Sequence, residues 1–131
     1  MAQLNLLLDT HVFLWLLFGD EQLGPKQIEL LKNPGTKKYL SAVSIFEMAT
    51  KAKGGKLILP PLYAQRLSAI YTDFDYQPLS LSALHAELAG NFPSAHKDPF
   101  DRLLAAQSVV ENMPIMTVDA KLRELGAEVV W

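Results

Sequence analysis

The stretch Leu4-Asn5-Leu6-Leu7-Leu8-Asp9-Thr10-His11 decides how this chain is read. A short apolar run closed by a polar break is the pattern of a strand buried on both faces of a parallel sheet. Thr10 then opens a helical segment, so Asp9 stands at the carboxyl end of the first strand. A second such run, Ile115-Met116-Thr117-Val118, closes in the same way on Asp119. If these are the two central strands, Asp9 and Asp119 sit at adjacent strand ends. Open α/β sheets bind ligands there, where strand order reverses.

Outward from this pair, short β-like runs alternate with longer helical ones. Strands are expected at Leu4–Leu8, 38–41, Gln77–Leu79, 115–118 and 128–130. Helices are expected at Thr10–Phe18, Pro25–Lys32, 43–53, 62–72, Ala83–Asn91, 99–112 and Ala120–Leu125. The alternation predicts an α/β fold, a three-layer α/β/α sandwich with a central, mostly parallel sheet of about five strands. Gly24-Pro25 and Asp98-Pro99 each place proline in a first helical turn, where its missing N–H costs nothing. Gly54-Gly55 and Gly126 mark helix ends. Leu103, Ala106, Val110 and Met113 recur at helical spacing as a sheet-facing stripe, and Ala105 and Ala106 would let that helix lie close.

The 131 residues fit one domain, 1–131, with no repeat or linker. The absence of cysteine excludes disulfides and thiolate metal sites and leans towards a reducing compartment, so a cytoplasmic location is expected. The apolar N-terminal stretch is interrupted by Asp9 and His11 and falls short of the roughly 20 residues of a membrane span. It also lacks a basic leader and a small-residue cleavage site, so neither a signal nor a span is expected. A net charge of −2 provides no general attraction to nucleic acid, although Lys51, Lys53, Lys56, Lys37, Lys38, Lys97 and Arg102 cluster near acidic positions.

Five acids adjoin apolar segments: Asp9, Glu47, Asp98, Asp101 and Asp119. Carboxylates beside buried elements need compensation by a cap, a cation or a metal ion. Caps are available to most of them. Asp9 and Asp119 precede helices, while Ser44-Ile45-Phe46-Glu47 and Asp98-Pro99-Phe100-Asp101 have capping-box spacing. Taken together, the five point instead to an acidic pocket. Oxygen ligation without cysteine and with few histidines favours Mg²⁺ or Mn²⁺ over zinc.

The opening Leu6-Leu7-Leu8-Asp9-Thr10-His11 resembles a PIN domain, as do Ser44-Ile45-Phe46-Glu47-Met48-Ala49 and Thr117-Val118-Asp119. So does the segment His96-Lys97-Asp98-Pro99-Phe100-Asp101-Arg102-Leu103-Leu104-Ala105-Ala106-Gln107. Within that superfamily the chain looks most like the VapC-type toxins of prokaryotic toxin–antitoxin pairs, over essentially its whole length. The resemblance implies an endoribonuclease dependent on one or two Mg²⁺ or Mn²⁺ ions. It further implies RNA as substrate, a homodimer, and a separate antitoxin chain as partner.

Residue by residue, Asp9, Glu47, Asp101 and Asp119 match the family's four acids, and Asp98 an additional one. Asp9 and Asp101 are the expected direct ligands, and Asp119 and Asp98 complete the shell or hold a second ion. Glu47 is a ligand or orients the attacking water. Thr10 and Thr117 are candidates for orienting a carboxylate or the substrate. Arg102 is a candidate for phosphate contact or for pairing with the acids. His11 and His96 are possible general bases that the chemistry does not require.

A phosphoryl-accepting receiver domain also groups acids at strand ends. It would need an Asp closing the third strand, where this chain has Leu79-Ser80-Leu81. The remaining alternative is a catalytically silent PIN-fold binding module, which should have lost an acid. Two apolar stretches, Val12 to Phe18 and Leu57-Ile58-Leu59-Pro60-Pro61-Leu62, exceed what one sheet face can bury and are expected at interfaces.

Overall fold

Strand β1 (Leu4–Leu8) forms the middle of a five-stranded, all-parallel sheet in a computed structural model that describes residues 3–131. The other strands are β2 (Thr36–Ser41), β3 (Gln77–Leu79), β4 (Ile115–Met116) and β5 (Val129–Val130), in the order β3-β2-β1-β4-β5. Leu6 and Leu8 feed one apolar cluster, and Leu7 feeds the other. Ile115 and Met116 divide between the same two clusters. Strand side chains alternate faces, so both faces of the sheet are covered, which makes the three-layer sandwich.

One layer contains α1 (Thr10–Phe18), α2 (Pro25–Lys32), α4 (Pro61–Gln65) and α5 (Ile70–Asp73), with Phe13, Leu31 and Ile70 buried. The other is led by α7 (Pro99–Val110), against which α6 (Ala83–Asn91) packs. Helix α3 (Ala42–Lys53) supplies Met48 to one cluster and Val43 to the other. Ala105 and Ala106 are fully buried, which lets α7 approach the sheet closely. From β1 the chain steps outward through β2 to β3, then returns across the sheet to β4 on the far side of β1. The switch point therefore lies between β1 and β4.

Several boundaries differ from the sequence reading. Strand β2 begins two residues early, at Thr36, and β4 ends at Met116 rather than at 118. The expected helix 62–72 is broken at Arg66 (φ −144°, ψ 86°) into α4, a 3₁₀ turn at Leu67–Ala69, and α5. Helix α7 stops at Val110 because Asn112 takes a left-handed conformation (φ 51°). Ala120–Leu125 is a 3₁₀ helix closed by Gly126 at φ 97°. The stripe on α7 also shifts: Leu104, Ala105, Gln107 and Ser108 join Ala106 on the buried side, while Leu103 and Val110 are half-buried.

Capping differs as well. Helix α3 is capped by Ser41, whose Oγ accepts from Val43 N, and Ser44 lies inside the helix. Asp9 sits at the N-cap position of α1 but accepts no capping hydrogen bond. Among the described residues, no helix is long and apolar enough to cross a membrane.

Candidate metal centre

At the β1/β4 switch point an acid follows each strand, Asp9 directly after β1 and Asp119 three residues beyond β4, and helices α3 and α7 bring in the rest. Asp9 follows β1, and only 6% of it reaches solvent. Its Oδ2 accepts a 2.6 Å hydrogen bond from Thr117 Oγ1, and the same hydroxyl accepts from Asp119 N at 3.1 Å. Thr117 thus ties the acid after β1 to the acid after β4. Asp119 also caps the 3₁₀ helix through Lys121 N.

Helix α3 brings in Glu47, 6% exposed, whose Oε2 lies 2.7 Å from Lys51 Nζ one turn on. Lys51 itself is 36% exposed, so Glu47 is paired with a cation at the surface rather than with a buried one. Helix α7 brings in Asp101 from its first turn. Asp98 caps this helix with Oδ1, accepting from Phe100 N at 2.9 Å and from Asp101 N at 3.3 Å.

The carboxylates are close enough to act on one another's charge. Burial raises the Asp9 carboxyl above its ordinary value, with Glu47 adding to the rise and the Thr117 hydrogen bond and His11 opposing it. Asp101 is pushed up to about 6, first by burial and then by the charges of Asp98, Asp9 and Asp119. His96 opposes that rise from across a 3.6 Å gap between its Nε2 and Asp101 Oδ2. A donor atom from each of His96, Asp101 and Asp119 lies within 4.8 Å of the others.

Negative charge focused on partly buried oxygens, with one lysine beside it, suits a divalent cation. The residues therefore fit a divalent-cation centre: Asp9, Asp101 and Asp119 within it, and Asp98 at its exposed rim.

The supporting residues divide differently. Thr10 Oγ1 donates to Ser44 Oγ at 2.8 Å, so it joins α1 to α3 rather than touching a carboxylate. All five N–H groups of Arg102 are spent on backbone carbonyls: Ala89, Gly90, Phe92, Pro93 and His96. Its guanidinium holds the loop before α7 in place of contacting phosphate or acids. His11 is exposed and lies beside Trp15.

Sequence reasoning passed over Ser41 and Gln107. Ser41 Oγ donates to Gln107 Oε1, and Gln107 Nε2 donates to Ser80 O at 3.3 Å, joining β2, α7 and the residue after β3. A glutamine on the apolar side of α7 was the one signal available for it.

The family model for the PIN domain matches residues 6–128. No curated protein matches the chain. Among solved structures, the chain is similar to VapBC2 from Rickettsia felis bound to a DNA fragment from their promoter. That match has 15% identity, covers 97% of this chain and 98% of the other, and has a TM-score of 0.69. VapBC-1 from nontypeable Haemophilus influenzae matches at 15% identity over 97% of each chain, with a TM-score of 0.68. FitAcB from Neisseria gonorrhoeae matches at 18% identity over 96% of each chain, with a TM-score of 0.62.

Proposed function

The chain belongs to the PIN domain family, and from that premise we propose that it is a divalent-metal-dependent endoribonuclease, the VapC-type toxin of a toxin–antitoxin pair. The observation that carries this reading is the gathering of Asp9, Asp98, Asp101 and Asp119, where burial first and then the charges of the other three push Asp101 up to about 6. All four family acids are present, which disfavours the silent binding module.

One or two Mg²⁺ or Mn²⁺ ions bound there would supply charge neutralisation at the phosphate and acidification of an attacking water. Asp9 and Asp101 are the proposed direct ligands, with Asp119 and Asp98 completing the set. Thr117 fixes the Asp9 carboxylate by committing one oxygen to its hydroxyl, which leaves the other as the proposed metal donor. Glu47 has one oxygen on Lys51 and is the proposed group that orients the water and accepts its proton. Lys51 stands at the rim, where a phosphate could compete with Glu47 for it.

The partners proposed are RNA, a separate antitoxin chain and a second copy of this chain. Support for an interface comes from α1, whose residues Leu14 to Leu17 are only half-buried and whose Phe18 is 49% exposed. Of the loop after α3, Leu59 is buried but Ile58 is 87% exposed. Purified without antitoxin, the protein should cleave RNA with Mn²⁺ or Mg²⁺ and stop in EDTA. Glu47→Gln and Asp101→Asn keep shape while removing charge, and should fold yet lose most activity. Wild-type cleavage by both variants would place the activity elsewhere.

A further inference from the structure

We propose that His96 is a nitrogen donor to this metal centre and biases it towards Mn²⁺ over Mg²⁺. The proposal rests on the metal reading above. Nε2 of His96 is 3.6 Å from Asp101 Oδ2, which is too long for a direct hydrogen bond. Two atoms bound to one ion through bonds of about 2.1 Å lie roughly 3.0–4.2 Å apart, so the gap suits a shared cation better than an ion pair. Asp119 completes the triplet within 4.8 Å.

The imidazole is held in place. Only 14% of its side chain is exposed although it sits on a loop, and Arg102 grips the loop through the carbonyls of Phe92, Pro93 and His96 itself. A planar guanidinium using every N–H fixes a backbone more rigidly than a lysine could. Two residues further on, Asp98 caps α7 and anchors the other end of the segment. The ring therefore has little freedom to swing away.

The donor type then sets the preference. Mg²⁺ favours oxygen and gives up water reluctantly, whereas imidazole nitrogen favours first-row transition metals. Three oxygens and one nitrogen would lower the Mg²⁺ affinity relative to Mn²⁺.

The test measures Mn²⁺ and Mg²⁺ binding to wild type and to His96→Ala by calorimetry, with pulsed electron paramagnetic resonance of the Mn²⁺ complexes. The side chain can be removed without loss of fold, because Arg102 grips main-chain atoms. Mn²⁺ affinity should fall by about tenfold or more in the variant, the size of effect that loss of one ligand-shell group produces, while Mg²⁺ affinity changes much less. Wild type should show ¹⁴N coupling to Mn²⁺, and the variant should lose it. Equal losses for the two metals, or Mn²⁺ binding to wild type without ¹⁴N coupling, would overturn the role of His96 and leave the metal centre standing. Wild type binding neither cation would overturn the metal centre itself.

Discussion

Asp101→Asn should stabilise the metal-free protein near pH 7.5. The carboxyl of Asp101 is raised from 3.8 to about 6 by burial and by Asp98, Asp9 and Asp119. At 1.36 kcal/mol per pH unit that interval corresponds to about 3 kcal/mol. Solvent reaches 27% of the side chain, and screening brings the usable figure to on the order of 1–2 kcal/mol. For a domain of this size, that is a rise in Tm of about 4–8 °C in EDTA.

The sign with pH follows from the raised value. An acid whose pKa is higher when folded contributes stability that is full below 3.8 and is lost as pH rises through about 6. The advantage of the variant should therefore be largest at pH 7.5 and about halved at pH 5. Saturating Mn²⁺ should reverse the ranking, because wild type gains about 2.7 kcal/mol at a hundredfold excess over Kd and the variant gains less. Thermal melts of both proteins at pH 5, 6 and 7.5, with EDTA and with Mn²⁺, measure all of this. A variant less stable than wild type in EDTA at pH 7.5, or a gap that does not narrow at pH 5, would refute the account of crowded carboxylates.

Further expectations concern the supports of the site and the interface. Thr117→Val keeps the shape of the strand end but removes the hydroxyl from Asp9, and should cost about 1.5–3 kcal/mol in urea unfolding together with a loss of activity. Ser41→Ala removes the cap of α3 and leaves Gln107 Oε1 buried without its donor, so a loss of about 2 kcal/mol is expected, and a change below 0.5 kcal/mol would argue against that bridge. Arg102→Lys leaves most of five carbonyls without a donor, and native-state hydrogen exchange should quicken across residues 92–98 while the central strands stay protected. Light scattering at tens of micromolar should give a dimer mass, and a monomer would remove the proposed role of α1.

Where the acids stand in the chain follows from sequence alone. A leucine run closed by Asp9 and an apolar run closed by Asp119 place carboxylates at strand ends, because strand and turn preferences are local. The parallel five-stranded sandwich was legible for the same reason: β-like and helical periods alternate along the whole chain, and β1, β3, α1, α2 and α6 have the expected bounds. Local pattern could not decide which side chain answers which. Ser44 had the spacing of a cap, yet Ser41 is the cap, because β2 continues to residue 41 and Ser44 is claimed by Thr10 across 34 residues.

Arg102 stood beside the acids in sequence but spends every donor on carbonyls at the end of α6 and in the loop before α7, a pairing that only the folded loop sets up. Lys51 answers Glu47 across one helical turn, a spacing visible in the sequence, but the burial that makes the pair matter comes from packing. His96 shows the limit most clearly. Its spacing from Asp101 indicates nothing of a 3.6 Å approach, made from a loop that the Arg102 guanidinium holds, or of Asp119 arriving within 4.8 Å from beyond β4. Periodicity and end signals act over a few residues, whereas donor pairing and charge crowding depend on distances that exist only after the sheet has assembled.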